Sequence, residues 1–444
     1  MPATAEAQQT LVLDRVHVVD VDAGSVARDR AIVIRDGKIV SIERAGAGPR
    51  RNARRIDLAG RFVIPGLWDM HVHVLSASRL DAVQRPMRQM LGYGVLGVRD
   101  MGSYVDSSLA LLPALRRDTL APHITWVGPL LDGAKFQWSQ RVAWHITSRG
   151  EAALAVDSLA RLQVNALKVY GSLSAREFGE IARVAKQRGL PVVGHLPRGV
   201  SVTAAAEAGM RSIEHGGLDL VMWCAESGPA RVGRVLDRWV REGYTGRFAE
   251  MEALWGARDT VQCHAQQRAM ARAGTYMTPT LVLEMKDSST LRSSAISTLD
   301  SASQGYCRGT VASIEKAPRE SRERVFAQLL ADVRSLRDDS VRVLAGTDLG
   351  NPCLVPGASL HDELALFVRA GLTPLEALRA ATTDAARAGG LPREWIGVRA
   401  GNVAELVVMD GDPRSGLESA RSPRGVVRGG KWIDAATLAQ LRVP

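Results

Sequence analysis

The chain has 444 residues, which is enough for one large domain and a smaller accessory domain. Its composition, 46% hydrophobic and 23% charged residues, is that of an ordinary globular protein. No apolar stretch approaches the ~20 residues of a membrane helix. The net charge of +10 comes from arginines interleaved with acidic residues, without a basic block that alternates with aromatics. We therefore expect neither a membrane-spanning protein nor a nucleic-acid partner.

The start of the chain and the cysteines give expectations about the compartment. The first ten residues lack the apolar core of a secretion signal, which predicts a cytoplasmic protein, or a secreted one if a leader has been removed. The cysteines are scattered and form no CxxC pair; they are Cys224, Cys263, Cys307 and Cys353. We expect reduced thiols with mostly structural roles.

Short strand-like segments separated by turn residues occupy both ends of the chain. They are residues 11–13, 16–21, 31–35, 38–43 and 55–58, and, near the other end, 404–409, 425–428 and 429–432. Asp36-Gly37, between two apolar runs, is a hairpin signal. Because the two ends share this pattern, we predict that residues 1–64 and 397–444 pair into one small β-sandwich domain.

Between these ends, in residues 65–396, helical and strand-like segments alternate. Helices are predicted at 80–92, 107–117, 148–162 and 174–189, the last with a capping box of Ser174 and Glu177. This β-then-α rhythm predicts an α/β fold, a parallel (β/α)8 TIM-like barrel, with its seventh strand at 276–281. Residues 221–275 and 286–340 are helix-rich and longer than a barrel needs, so we predict helical insertions over its mouth.

The most informative motif is a pair of histidines at the end of a buried strand. The apolar run 62–68 leads into Asp69-Met70-His71-Val72-His73. Residues i and i+2 of a strand face the same side, so His71 and His73 point at one spot and could hold a divalent metal. The alternative is a pair of hydrogen-bonded core histidines.

Four further potential ligands each lie in or at the end of a strand-like run: Lys168, His195, His215 and Asp348. In a β/α barrel the carboxyl ends of the strands meet at one mouth, so residues far apart in sequence come together there. Lys168 could instead extend its amine to the surface, and Asp348 could cap the next segment. Only seven of the 57 basic residues are lysines, which argues against an incidental lysine inside an apolar strand.

The ordered set of His, His, Lys, His, His and Asp resembles the amidohydrolase superfamily in its two-metal form, over nearly the whole chain. The resemblance implies that His71, His73 and Asp348 hold one ion and that His195 and His215 hold the other. Lys168, its pKa lowered by burial, would add carbon dioxide and bridge both ions as a carbamate. Zinc suits these ligands. A hydroxide between the ions would attack the substrate, and Asp348 would pass the proton to the leaving nitrogen.

Three short sequence motifs indicate which branch of the superfamily the chain resembles: Gly194-His195-Leu196-Pro197, Glu214-His215-Gly216 and residues 355–364. They are similar to the imidazolonepropionase-like and prolidase-like branch, which includes ochratoxin-type amide hydrolases and the amidohydrolase of bottromycin maturation. The implied activity is hydrolysis of a peptide-like amide bond in a dipeptide, an N-acyl amino acid or a modified biosynthetic peptide. A cyclic amide or imide hydrolase, a lactone or phosphoester hydrolase and a non-catalytic scaffold stay open. Residues 401–405 depart from the family's Gly-Lys-x-Ala-Asp segment.

Substrate contacts are harder to assign from the sequence. Tyr170, two residues after Lys168, and Arg198, three after His195, are candidates to bind a substrate carboxylate, although a packed tyrosine and a solvated arginine are the alternatives. The loop 128–144 could supply an aromatic wall through Phe136, Trp138 and Trp144. We expect a small-molecule or peptide substrate, no membrane partner and a homo-oligomer. The remaining histidines are interpreted as structural or surface residues: His17, His123, His145, His264 and His361.

Overall fold

The computed structural model describes residues 10–49, 51–134, 139, 141–216 and 247–443. Its strands, in chain order, are β1 (Thr10–Asp20), β2 (Ser25–Arg35), β3 (Lys38–Arg44), β4 (Ala53–Asp57), β5 (Phe62–Pro65), β6 (Leu67–Val72), β7 (Val95–Asp100), β8 (His123–Trp126), β9 (Leu130–Asp132), β10 (Ala143–His145), β11 (Leu167–Val169), β12 (Val192–Gly194), β13 (Met210–Glu214), β14 (Tyr276–Thr278), β15 (Leu406–Met409), β16 (Gly425–Arg428) and β17 (Lys431–Asp434).

The α-helices of the same residues are α1 (Leu80–Gly92), α2 (Val105–Arg117), α3 (Arg149–Arg161), α4 (Ala175–Arg188), α5 (Val202–Glu207), α6 (Arg247–Gly256), α7 (Thr260–Ala273), α8 (Leu281–Glu284), α9 (Ser288–Leu291), α10 (Ser301–Ile314), α11 (Arg319–Asp338), α12 (Ala358–Arg369), α13 (Pro374–Ala380), α14 (Thr383–Ala388) and α15 (Ala435–Leu441). Helix α4 begins at the capping box predicted from Ser174 and Glu177 and ends at Gly189, which is left-handed. Within the described ranges, none of the helices combines the length and apolar character that crossing a membrane requires.

One eight-stranded sheet joins the two ends of the chain. Its order is β17-β16-β15-β5-β1-β2-β3, with β4 beside β1. The sequence predicts that the two ends pair into a small β-sandwich domain, and the strands of both ends do join, hydrogen-bonded into one curled sheet with a core of its own. The residues alternate between its two faces: Val63 and Leu406 pack within the small domain, whereas Ile64 and Val407 pack into the main core that continues into the barrel. The sheet is therefore fixed to the barrel through its own apolar face.

The barrel consists of two hydrogen-bonded sheets and an irregular eighth segment, which confirms the predicted α/β barrel. Strands β6, β7 and β8 form one sheet, and β10-β9-β11-β12-β13-β14 form the other. Strands β8 and β9 are two halves of the third barrel strand, interrupted at Gly128, whose φ is +75°. Helices α1 to α5, α7, α11 and α12 follow successive strands, as expected for a (β/α)8 barrel.

The eighth barrel segment, residues 341–348, is predicted as a strand but forms only isolated bridges, Met277 with Val343 and, just beyond it, Val72 with Leu349. The physical reason is that two of its amides, those of Ala345 and Thr347, donate to groups other than the backbone of a neighbouring strand and so interrupt the ladder. The amide of Thr347 donates to the Asp69 carboxylate at 3.0 Å, and that of Ala345 donates to a carbonyl beyond the strands. The segment still closes the barrel between β14 and β6.

In the two regions predicted as helical insertions, 221–275 and 286–340, the described residues contain α6, α9 and α10 beside the barrel helices α7 and α11; residues 221–246 of the first region lie outside the described residues. The prediction of reduced cysteines is wrong. Cys307 in α10 and Cys353 are joined by a disulfide across 46 positions, and Cys263 is also disulfide-bonded. The spacing of the cysteines does not reveal this pairing, because Cys307 and the loop after Asp348 come together only in the folded chain.

Candidate metal centre

The six side chains singled out in the sequence lie at the carboxyl ends of barrel strands. His71 is the second-last residue of β6, and His73 directly follows that strand. Lys168 is in the middle of β11, and His195 and His215 immediately follow β12 and β13. Asp348 follows the eighth segment and its amide donates to the His71 carbonyl at 2.7 Å. The strand geometry thus gathers residues separated by almost 280 positions at one mouth.

His71, His73 and Asp348 form the tightest group, with one ligand atom from each within 4.8 Å of the others. The Asp348 Oδ1 atom is 3.5 Å from His71 Nε2 and 3.2 Å from His73 Nε2. Burial acts to raise the pKa of Asp348, but the adjacent His71 and His73 rings lower it well below its usual range. Burial, followed by the charge of Lys168, lowers the pKa of His71 well below 6.5. A carboxylate and neutral imidazoles are the forms that bind a divalent metal.

Lys168 is 1% exposed, and its Nζ atom lies 3.3 Å from His71 Nε2. Burial, partly offset by Asp348 and Glu214, lowers its pKa to about 8. This is not an amine extended to the surface. A buried lysine of lowered pKa is the type that reacts as the neutral amine.

His195 and His215 form the second half of the cluster, with ring centroids 4.7 Å apart, and the His215 ring is 4.6 Å from that of His71. Burial lowers the pKa of both histidines. His215 Nδ1 is 3.0 Å from the hydroxyl of Thr280, which leaves Nε2 for the cluster. Both rings are partly exposed at the mouth, as a site open to substrate requires.

The backbone of the eighth segment makes room for this cluster. A Cβ atom on Gly346 would lie 2.6 Å from Thr278 Cγ2 and 2.9 Å from His71 Cβ. Glycine is therefore required where the segment passes β6 and β14. The Asp69 carboxylate also contacts this segment: it accepts hydrogen bonds from the Thr347 hydroxyl at 2.7 Å and from the Thr347 amide.

Glu214 and Arg99 are buried charged residues beside the cluster that were not predicted from the sequence. Glu214 Oε2 lies 3.0 Å from His71 Nδ1, and Glu214 Oε1 accepts from Arg99 at 2.7 Å and from the Ser212 hydroxyl. The signal that could have found them is a charged residue inside an otherwise apolar buried strand, in β7 and in β13. Such charges are rarely fully buried unless they are paired.

Tyr170 and Arg198 lie on adjoining loops at the edge of the second half. The Tyr170 ring is 4.0 Å from the His195 ring, and the Arg198 amide donates to the carbonyl of Gly171 at 3.0 Å. The charge of Arg198 also acts on Asp132, whose pKa is raised by burial and lowered in part by Arg198. Tyr170 is therefore the better placed of the two for contact with a bound substrate.

The aromatic residues of the loop 128–144 and the remaining histidines do not belong to the cluster of six side chains. Trp144 packs against the main core, while Phe136 and Trp138 lie outside the described residues. Burial lowers the pKa of His361 to about 4, and its Nε2 atom is 2.9 Å from the Tyr93 carbonyl. Three of the remaining histidines have contacts away from the cluster: His17 with Phe62, His123 with Glu405, and His264 with Asp339. His145 is the last residue of β10.

Two buried acceptors of the cluster are poorly satisfied among the described residues: His195 Nδ1 has no hydrogen-bond partner, and Asp348 Oδ1 has beside it only the ring nitrogens of His71 and His73, which are themselves candidate metal ligands. Unsatisfied buried acceptors are costly and rare, and metal coordination would satisfy both. The donor set of imidazoles and a carboxylate is also the set that zinc and similar ions bind. Fold and site together define a β/α-barrel protein with a candidate divalent-metal centre at the barrel mouth.

This chain belongs to the amidohydrolase family, whose family model matches residues 62–433, and it is therefore a hydrolase that acts on carbon–nitrogen bonds. Its structure is similar to that of bottromycin amidohydrolase, with a TM-score of 0.78, 25% identity and coverage of 98% of this chain and 89% of that one. A Xaa-Pro dipeptidase is similar in fold, with a TM-score of 0.69, 17% identity and coverage of 96% and 100%.

Among curated relatives, imidazolonepropionase of Mycolicibacterium smegmatis is 39% identical over 75 residues, which span 15% of this chain and 19% of that protein. This match covers only a small part of that relative. The similarities confirm the superfamily and the branch indicated by the sequence.

Proposed function

We propose that the protein is a two-metal amidohydrolase that cleaves a peptide-like amide bond. The observation that carries the proposal is the convergence of His71, His73, Lys168, His195, His215 and Asp348 at one barrel mouth. In support, bottromycin amidohydrolase and a Xaa-Pro dipeptidase, which act on peptide-like substrates by their names, share the fold over nearly the whole chain.

The residues divide into holders of the ions and a proton carrier. His71, His73 and Asp348 would hold one divalent ion, and His195 and His215 the other. The bound ions would supply an activated water and polarise the scissile carbonyl. Asp348, whose low pKa keeps it ionised, then accepts the proton of the attacking water and delivers it to the leaving nitrogen.

Lys168 fits between the two halves only in a modified form, because an ammonium group would repel two cations. Its Nζ atom lies beside the Nε2 atom of His71, and burial keeps a fraction of the amine neutral near pH 8. We propose that this amine adds carbon dioxide at Nζ and releases a proton to solvent, which gives an anionic carbamate with two oxygens. That anion would supply the second half of the cluster with the negative charge it otherwise lacks.

We further propose that the leaving portion of the substrate is an amino acid or peptide with a free carboxylate. Tyr170 is in ring contact with His195, and Arg198 is on the adjoining loop. Charge-assisted hydrogen bonds from such groups orient a carboxylate. A dipeptide, an N-acyl amino acid and a modified biosynthetic peptide all present this feature.

A cyclic amide or imide hydrolase is the second candidate, favoured by the local similarity to imidazolonepropionase. The acyclic-amide and cyclic-amide functions are distinguished by assaying metal-loaded protein against dipeptides, N-acyl amino acids, hydantoins and lactones. The zinc content per chain is measured on the same protein. We expect two ions per chain and fastest turnover of an acyclic amide. Faster turnover of a hydantoin or a lactone would overturn the substrate assignment. One ion with an unmodified Lys168 in fully active protein would overturn the bridged pair.

The Cys307–Cys353 disulfide bears on where the protein works. Disulfides persist mainly in oxidising compartments, so we propose an oxidising location in place of the cytoplasmic one predicted from the polar start of the chain. Alkylation of free thiols in protein isolated from its host without reductant tests this. We expect Cys307 and Cys353 to be protected, and their labelling would contradict the proposal.

A further inference from the structure

His71 is held by a stronger partner than the other histidines of the cluster. It is fully buried, and its Nδ1 atom lies 3.0 Å from Glu214 Oε2. A carboxylate only accepts, so Nδ1 carries the proton and donates to Glu214, which leaves the Nε2 lone pair for a metal. Hydrogen bonds to a charged acceptor are roughly twice as strong as those between neutral groups.

Glu214 is itself fixed by its surroundings. Arg99 donates from Nη2 to Glu214 Oε1 at 2.7 Å, from Nη1 to the Ser212 hydroxyl at 3.0 Å, and from Nε to the Met70 carbonyl at 2.7 Å. Glu214 and Ser212 are fully buried and Arg99 is 2% exposed. A buried ion pair is often no better for stability than apolar residues of the same volume, so stability alone does not account for this one.

None of the other three histidines of the cluster has a carboxylate on Nδ1 among the described residues: His73 and His215 have neutral partners there, and His195 Nδ1 has none. His73 Nδ1 lies 3.1 Å from the Gly102 carbonyl and His215 Nδ1 lies 3.0 Å from the Thr280 hydroxyl. The two halves of the cluster are therefore unequal. The first half has the Asp348 carboxylate and a histidine backed by Glu214, whereas the second has two imidazoles, and a Lys168 carbamate would be shared by both.

We propose that Glu214 is a positioning residue that makes the His71–His73–Asp348 site the tighter of the two metal sites, so that the ions bind in a fixed order. The inference rests on the proposed two-metal function. A carboxylate behind a metal-binding histidine fixes the ring and makes it a better donor, and removing such a partner typically weakens metal binding about 10–100-fold.

The test is titration of metal-free protein with Co²⁺, in the presence of bicarbonate, followed by visible absorption and by competition with a chromophoric chelator. The readout is the two dissociation constants and not activity. For the wild type we expect a tight step and a weaker step. His215→Ala assigns them, because it should remove the weaker step and leave the tight one.

Glu214→Gln should weaken the tight step about 10–100-fold and change the weaker step much less. Asp332→Asn is the matched control, since Asp332 is also a buried carboxylate, bonded to Arg258 at 2.7 Å and Trp255 at 2.9 Å, but lies outside the cluster. It should leave both steps unchanged. Ser212→Ala removes one hydrogen bond to Glu214 and should weaken the tight step by a smaller factor, which keeps the test valid if Glu214→Gln does not fold.

Equal affinities for the two ions in the wild type, or loss of the weaker step instead of the tight one in Glu214→Gln, would overturn the inference. A wild type that binds one ion would instead overturn the two-metal function. In that case the effect of Glu214→Gln on the single step still decides whether Glu214 supports the metal.

Discussion

The Glu363 carboxyl group accepts the backbone amide of Val282 at 2.7 Å and that of Leu281 at 2.9 Å. These amides begin helix α8 directly after Thr280, which has the left-handed φ of +48° and contacts His215 through its hydroxyl. Glu363 is fully buried. A side chain on α12 therefore holds the turn that orients a histidine of the candidate metal centre.

Glu363 should make folding stability depend on pH. Burial raises its pKa from 4.5 to about 8, so between these pH values the folded state holds a proton that the unfolded state has lost. The free energy of unfolding should therefore fall as pH rises through this window, by at most about 1.4 kcal/mol per pH unit from this group. Glu363→Gln cannot ionise, so its stability curve, measured by urea unfolding at pH 5 to 8, should be flatter. Parallel curves would show that Glu363 is not the source.

Asp348→Asn should keep the fold and part of the metal but lose turnover. The amide oxygen still coordinates weakly, but it cannot carry a proton, and general acid–base assistance contributes about 10²–10⁴-fold. The measurement is kcat with metal content verified, with Asp332→Asn as a control that should retain kcat. A verified, metal-loaded Asp348→Asn with nearly wild-type kcat would remove Asp348 from the proton transfer.

Arg198→Ala should raise KM more than it lowers kcat, because a carboxylate contact made equally before and during reaction contributes only to binding. Loss of such a hydrogen bond costs about 1.5–3 kcal/mol. Tyr170→Phe keeps the ring against His195 but removes the hydroxyl. The measurement compares kcat/KM for a substrate with a free carboxylate and for its C-terminal amide, with Arg188→Ala as a surface control. An unchanged preference in both variants would exclude both residues from this role.

Removing the disulfide should destabilise the protein. Cys307 and Cys353 close a loop of 46 residues, and a disulfide of this kind typically contributes about 2–4 kcal/mol. Cys307→Ala together with Cys353→Ala should lower the urea midpoint. It should also loosen the loop after Asp348, which ends five residues later at Cys353, and so lower metal content. Equal midpoints for the variant and the oxidised wild type would show that the bond does not support the native state.

The sequence predicted those features that depend on local pattern. The strand-end histidines could be located because each follows a short apolar run, and the capping box of Ser174 and Glu177 lies within four residues. The amidohydrolase family and the barrel followed from the order of these residues along the chain. The position of a residue within a repeating β/α unit was therefore the main indication that it lies at the barrel mouth.

The sequence did not predict features that depend on distant partners. The Asp69 carboxylate, 278 positions away, takes the amide of Thr347 and breaks the expected eighth strand. Arg99 meets Glu214 across 115 positions, and the Cys307–Cys353 pair is one of several possible pairings. Each depends on distances that exist only after the barrel has closed.

The placement of β5 between β1 and β15 has a consequence for the order of events during synthesis. Gly66 alone separates β5 from β6, the strand that leads to His71 and His73, and β5 pairs along its length with β15, from Pro65 against Leu406 to Phe62 against Met409. During synthesis His71 and His73 emerge from the ribosome early, but β15, which pairs with β5, emerges more than 300 residues later. A chain that ended near residue 400 would therefore contain all six residues of the candidate metal centre but lack β15, so that β5, which leads into the first barrel strand, would pair with β1 alone.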